Sequence, residues 1–340
     1  MLRMPTFQLH RPGDVDEALA LLAELGERTQ VVAGGTDLLP NLKHELFTPE
    51  HVVSLQRCDE LRGIRDDPEG GLVIGAMTPL AEIASSEVLL ARAPALAQAA
   101  GVVAGPQLRR MGTLGGNVML DTRCQWYNQS YFWRKSLGFC LKKDGTKCHV
   151  IEGGSKCVAA ASNDTAPALM TLGATIGFAK PGAQRAVPIE ELWRADGIYN
   201  KKVTTGELLT EVRIPPQAPN HRGAYGKLRD RGSIDFPLLG VAARVDLDER
   251  GLIEDADLVF VALQARPIRI KGLGDVLRGC DVGAADWETT LADACERAHK
   301  QCHPMPNIPG DPDYRRAMVP VYARHTLRAA LAGTGPVHQL

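Results

Sequence analysis

Four of the eight cysteines, Cys124, Cys140, Cys148 and Cys157, fall within one-tenth of the chain, with 15, 7 and 8 residues between them. Thiolates bind soft and borderline metals, and four suffice for one cubane iron–sulfur cluster, in which each iron takes one. Four also suffice for one tetrahedral zinc ion. The spacings are longer than the tight cysteine pairs of ferredoxins and of most zinc modules. Spacing by itself therefore leaves cluster, zinc and unligated thiols open.

The stretch from Asp121 to Cys157 holds six of the chain's 17 aromatic residues: Trp126, Tyr127, Tyr131, Phe132, Trp133 and Phe139. Such density suits a small core packed around the thiols, limiting water, or an apolar surface for a partner. The stretch also carries seven Lys or Arg against three Asp or Glu. That excess either offsets thiolate charge or steers an acidic electron donor. Aromatics interleaved with basic residues also occur in nucleic-acid binders. A net charge of -1 gives the whole chain no pull toward nucleic acid or anionic membrane.

Elsewhere, His299, Cys302 and His303, with Cys295 nearby, have helix-compatible spacing for a metal but read as structural. Cys58 and Cys280 read as small apolar residues. No Ser-His-Asp or paired-carboxylate arrangement stands out. Two glycine-rich turns do. Val31-Val32-Ala33 runs into Gly34-Gly35-Thr36-Asp37, and Arg109-Arg110-Met111 runs into Gly112-Thr113-Leu114-Gly115-Gly116-Asn117. Glycine allows close backbone approach and N–H groups that cradle an anion, although a plain tight turn explains Gly34-Gly35 as well. The dinucleotide fingerprint G-x-G-x-x-G is absent.

The elements that position these residues read as three units. Residues 5–55 form a βαβ unit in which Asp14 and Glu17 make a capping box and Gly26 ends the helix. A second unit begins with a strand at Leu72 to Ala76 and a helix start at Thr78-Pro79, followed by alanine-rich helix through Ala100. After the cysteines come a helix from Ala166 to Leu172 and strands at Thr175 to Phe178, near Arg185 to Ile189, and at Leu208 to Ile214. Pro215-Pro216-Gln217-Ala218-Pro219-Asn220 is a linker. Beyond it, strands at Ala224 to Arg229, Val241 to Leu247 and Leu258 to Leu263 precede helices at Arg269 to Arg278, Trp287 to Lys300 and Tyr314 to Leu331. With 340 residues, 44% hydrophobic and 23% charged, the chain has the composition of a soluble, multi-domain protein. No export signal or bilayer-spanning run is evident, which points to the cytoplasm and to cysteines used as ligands.

The ordered set of motifs resembles the FAD-binding subunits of the xanthine dehydrogenase and carbon monoxide dehydrogenase family. It comprises Ala33 to Asp37, Met111 to Asn117, Asp164-Thr165-Ala166-Pro167-Ala168-Leu169, Ser233-Ile234-Asp235-Phe236-Pro237 and Asp313-Tyr314-Arg315-Arg316-Ala317-Met318. Most relatives join the second motif to the third by a shorter connection. The insertion here is similar to that of the β subunits of 4-hydroxybenzoyl-CoA reductases.

The resemblance implies an α+β fold. A two-subdomain FAD-binding fold of the vanillyl-alcohol-oxidase/PCMH type would be followed by a C-terminal α/β layer domain, with a [4Fe-4S]-binding insertion. The units would span residues 1–57, 58–216 with the insertion at about 119–160, and 221–335. FAD would be held by Val31, Val32, Ala33, Gly34, Gly35, Thr36, Asp37 and Leu38, and by Thr113, Leu114, Gly115, Gly116 and Asn117. Asp164 would bond the ribityl chain or ring edge, Val103 would lie near the isoalloxazine, and Lys227 would approach the flavin unless it is a surface lysine. Cys124, Cys140, Cys148 and Cys157 would hold the cluster. The partners implied are a large molybdenum subunit, a small subunit with two [2Fe-2S] clusters, and ferredoxin as donor, with no nucleic acid and no membrane. The activity implied is electron transfer for reductive dehydroxylation; a same-family hydroxylase running electrons outward, or a zinc-stabilised binding protein, are the alternatives.

Overall fold

A computed structural model describes residues 2–337. Three sheets, taken in chain order, organise them. The first is parallel, β1 (Gln8–His10), β3 (His51–Ser54) and β2 (Thr29–Val32) lying side by side. Helix α1 (Val15–Leu25) crosses between β1 and β2, burying Ala18, Leu19 and Leu22. Its Asp14 cap accepts from the Glu17 N–H, but Glu17 reaches the N–H of Gly13 rather than that of Asp14, so the expected box closes one residue early. A short helix, α2 (Leu38–Lys43), leads from the first glycine turn towards β3.

The second sheet is antiparallel, in the order β4 (Ile64–Asp66), β5 (Leu72–Gly75), β8 (Leu208–Ile214), β6 (Thr175–Lys180), β7 (Ala183–Pro188). The single alanine-rich helix expected before Ala100 is three: α3 (Leu80–Ser85), α4 (Glu87–Arg92) and α5 (Pro94–Gly101). Ser86 breaks the run by capping the N–H of Leu89, and Pro94 cannot continue a helix because it has no N–H. Then come α6 (Pro106–Met111), α7 (Leu114–Val118), α8 (Tyr131–Ser136) inside the cysteine stretch, and α9 (Thr165–Thr171), every residue of which is buried.

The third sheet is an antiparallel meander, β9 (His221–Leu228), β10 (Leu239–Leu247), β11 (Ile253–Val261) and the two-residue β12 (Ile268–Arg269). It is covered by α10 (Leu273–Leu277), α11 (Trp287–Gln301) and α12 (Pro312–Ala332). Sequence periodicity reads β12 and α10 as one helix; Ile268–Arg269 instead pairs with Val259 and Phe260. Cys295 and Cys302 lie in this core and His303 is exposed, in line with their structural reading. Among the described residues no helix is long and apolar enough to cross a membrane.

Candidate flavin and cysteine sites

The two glycine turns meet. A Cβ at Gly34 would lie 1.8 Å from the carbonyl oxygen of Met111, and one at Gly115 would lie 2.9 Å from the carbonyl oxygen of Ala76. Only glycine tolerates either approach. Gly35 adopts φ +73°, which folds the first turn back on itself. None of the N–H groups of Gly34, Gly35, Thr36, Asp37 and Leu38 has a protein acceptor among the described residues. Gly34, Gly35, Asp37 and Leu38 are buried or half-buried and Thr36 is exposed, and such a run of N–H groups without protein acceptors suits an anion.

The second turn differs from expectation. The N–H groups of Leu114, Gly115 and Asn117 donate to Thr78, Ala76 and Thr113 carbonyls, and that of Gly116 to the Thr113 hydroxyl. The Asn117 side chain is likewise occupied, accepting from the Thr165 N–H and hydroxyl. The short α7 consumes these donors because Thr113 caps it. The second turn therefore braces the first, and of its N–H groups only that of Thr113 has no protein acceptor among the described residues.

Asp164 and Lys227 are also placed otherwise than the sequence suggests. Lys227 is 0% exposed, so it is no surface lysine; its Nζ donates to Asp164 Oδ2 at 2.9 Å and to the Val102 carbonyl at 3.0 Å. The other Asp164 oxygen accepts from the Tyr225 hydroxyl at 2.9 Å. Burial pushes the Asp164 carboxyl up, opposed first by the Lys227 ammonium. Both carboxylate oxygens thus already have protein donors. Tyr225 carries no sequence signal; it reaches Asp164 because β9 packs against α5 while α9 packs on the neighbouring β10 and β11.

Val103 is half-buried between these groups. The carbonyls of Val102, Val103 and Ala104 are held in turn by Lys227, by Arg109 and by Ser233 with the N–H of Ile234. Ala104 and Ile234 both take positive φ, 42° and 61°. For a β-branched residue that is a strained conformation, of the kind kept at functional sites.

The four cysteines line one pocket, together with Trp126, Tyr127, Lys142 and His149 among others. Cys124, Cys140 and Cys157 are buried and Cys148 is half-buried. Burial pushes the Cys124 thiol up to about 12, with the backbone N–H of Trp126 pulling the other way. Left unligated, such thiols would be inert. Among the described residues no group of three or more His, Cys, Asp or Glu converges tightly enough for one metal ion.

Three of the seven basic residues turn inward onto protein partners. Arg134 is 1% exposed and donates to the Gln129, His44 and Glu45 carbonyls. Lys142 donates to Asp121, to the Gly197 carbonyl and to Thr122. Arg123 pairs with Asp37 at 2.8 Å. Lys135, Lys147 and Lys156 are exposed, Lys135 on the same short helix as the exposed Phe132 and Trp133. Trp133 stacks at 5.9 Å on Trp126, a wall of the cavity.

Three sheets, a turn of free donors and a buried ion pair between β9 and the start of α9 make up the site. Residues 5–217 match the FAD binding domain in molybdopterin dehydrogenase, and residues 223–330 match the CO dehydrogenase flavoprotein C-terminal domain. The chain is 31% identical over 329 residues to the carbon monoxide dehydrogenase medium chain of Afipia carboxidovorans, covering 96% of this chain and 97% of that one. It is 25% identical over 327 residues to the xanthine dehydrogenase FAD-binding subunit of Escherichia coli O157:H7, covering 96% of each. The solved carbon monoxide dehydrogenase from Hydrogenophaga pseudoflava has a chain of similar fold, with TM-score 0.78, 28% identity, and coverage of 98% of this chain and 100% of that one. The chain belongs to the family of FAD-binding medium subunits of the xanthine dehydrogenase and CO dehydrogenase type.

Proposed function

We propose that this chain is the flavin and iron–sulfur electron-transfer subunit of a molybdenum enzyme of the 4-hydroxybenzoyl-CoA reductase type. The observation that carries the reading is the gathering of four thiols around one pocket with an aromatic lining. A cubane takes one thiolate at each of its four irons. Cys124, Cys140, Cys148 and Cys157 would hold the cluster, which when bound supplies one-electron transfer. The donor set and its aromatic lining fit that group, and the N–H groups of Trp126 and Tyr127 facing Cys124 would stabilise a bound thiolate.

FAD would place its diphosphate on the turn from Gly34 to Leu38, with Val103 and the strained Ala104–Ile234 contact nearer the ring. Asp164 would bond the ribityl chain or ring edge through its remaining lone pairs, with Lys227 beside it approaching the flavin. Units at residues 1–57, 58–216 and 221–335, with the insertion at about 119–160, divide this work. Partners would be a large molybdenum subunit and a small subunit with two [2Fe-2S] clusters. An exposed Lys135 on the same helix as Phe132 and Trp133 would suit an acidic partner such as ferredoxin, the donor expected for inward electron flow and reductive dehydroxylation. The names of the relatives, carbon monoxide and xanthine dehydrogenases, support the second reading, a hydroxylase subunit passing electrons outward.

Metal, sulfide and flavin analysis of anaerobically purified protein tests the proposal, with Cys140→Ser as its variant. About four irons, four sulfides and one flavin per chain are expected, with iron lost and flavin kept in the variant. Stoichiometric zinc without sulfide would refute the cluster. Assays of the assembled enzyme with 4-hydroxybenzoyl-CoA in both directions then separate reductase from hydroxylase.

A further inference from the structure

Arg123 precedes the first cysteine of the insertion, yet its side chain leaves the cysteine cavity and enters the flavin turn. Its Nη1 donates to Asp37 Oδ1 at 2.8 Å, while Asp37 Oδ2 accepts from Asn41 at 2.9 Å. The guanidinium also lies 3.9 Å from the ring centroid of Phe236, in the Ser233–Pro237 loop that touches Ala104. Asp37 lies within the run of five N–H groups that have no protein acceptor, and its carboxylate is held by Arg123 and Asn41. An unpaired carboxylate on that turn would repel a bound diphosphate.

The other charges nearby do not relieve it. Asp121 adds a second negative charge and is tied to Lys142 at 2.8 Å. Farther along, Arg134 of the insertion bonds the carbonyls of His44 and Glu45, just past the last turn of α2. The insertion therefore grips both ends of the helix that follows the turn.

We infer that Arg123 is a positioning residue for FAD: it neutralises Asp37, so that the insertion carrying the cysteines sets the affinity of the flavin turn for a diphosphate. The inference rests on the assignment of that turn as the diphosphate site, but holds whatever the cysteines bind. It makes the two sites energetically linked rather than merely adjacent.

The test uses the full protein in its assembly, stripped of flavin and titrated with FAD, with flavin fluorescence and iron content as readouts. R123Q should weaken FAD binding about tenfold without changing iron content. Adding D37N to R123Q removes the uncompensated carboxylate and should restore affinity to within about threefold of wild type. A purely structural arginine would show no such rescue. Wild-type affinity in R123Q, or a double variant as weak as R123Q, would overturn the inference. If R123Q fails to fold, R123K carries the test. It keeps the charge and loses the planar stack on Phe236, so it must bind FAD like wild type, and a tenfold loss counts against the proposal. Amide hydrogen exchange of residues 34–38 in the wild-type protein, with and without FAD, checks the underlying assignment separately. Protection there with no effect of R123Q would fault Arg123 alone; no protection would fault the turn.

Discussion

Lys227 and Asp164 show how much a single pair contributes to this site. A lysine that is 0% exposed loses its hydration, and it is tolerated because Asp164 and the Val102 carbonyl take its protons. Removing one partner strands the other. Lys227→Met should cost about 3–5 kcal/mol of stability, read as a shift of the urea midpoint at unchanged slope. A variant as stable as wild type would mean that Asp164 is held by Tyr225 alone. Arg315 follows the same logic deeper in the third unit. It is 0% exposed and donates to the Leu238, Met305 and Ala262 carbonyls, which ties α12 to the ends of β10 and β11.

At the scale of elements, the outer hairpin of the second sheet gives a pH-dependent term. Arg185 on β7 bonds both oxygens of Glu207, which lies just before β8. That hydrogen bond holds the Glu207 carboxyl down from 4.5 to about 2. A folded-state value below the unfolded one means the stabilisation is present above about pH 4.5. It is lost as pH falls from there towards about 2. Because Arg185 is 39% exposed, solvent screening reduces the contribution to about 1 kcal/mol. Chemical denaturation of Arg185→Met across this range should show a shallower acid limb than wild type. Identical limbs would remove Glu207 from the account.

The molecule as a whole turns on the contact between the two glycine turns, since it joins the first sheet's unit to the second. Gly34→Ala forces a Cβ into the Met111 carbonyl, 1.8 Å away, where neither backbone can yield cheaply. Loss of FAD together with destabilisation of more than about 2 kcal/mol is expected. Full flavin retention and an unchanged melting temperature would show that the turns separate without consequence. The cysteine insertion is built onto the same junction through Arg123 and Arg134, so the three parts share one region of backbone.

The sequence by itself determined the family, the three-unit order and the grouping of the four cysteines. These depend on local signals: ordered glycine motifs, a proline-rich linker, hydrophobic periods, and ligand-type residues crowded into one stretch. It also placed β8 to the residue and α11 to within one residue, because their patterns are regular and uninterrupted. Tertiary structure alone decided which turn keeps free donors, since Thr113 and Ala76 consume those of the second. It decided that Lys227 is buried against Asp164, 63 positions away in the chain, with Tyr225 on the other carboxylate oxygen. It decided too that Arg123 belongs to the flavin turn and not to the thiols beside it. A side chain's partner across such distances is set by how sheets and helices stack, and that packing leaves no periodicity in the sequence to read.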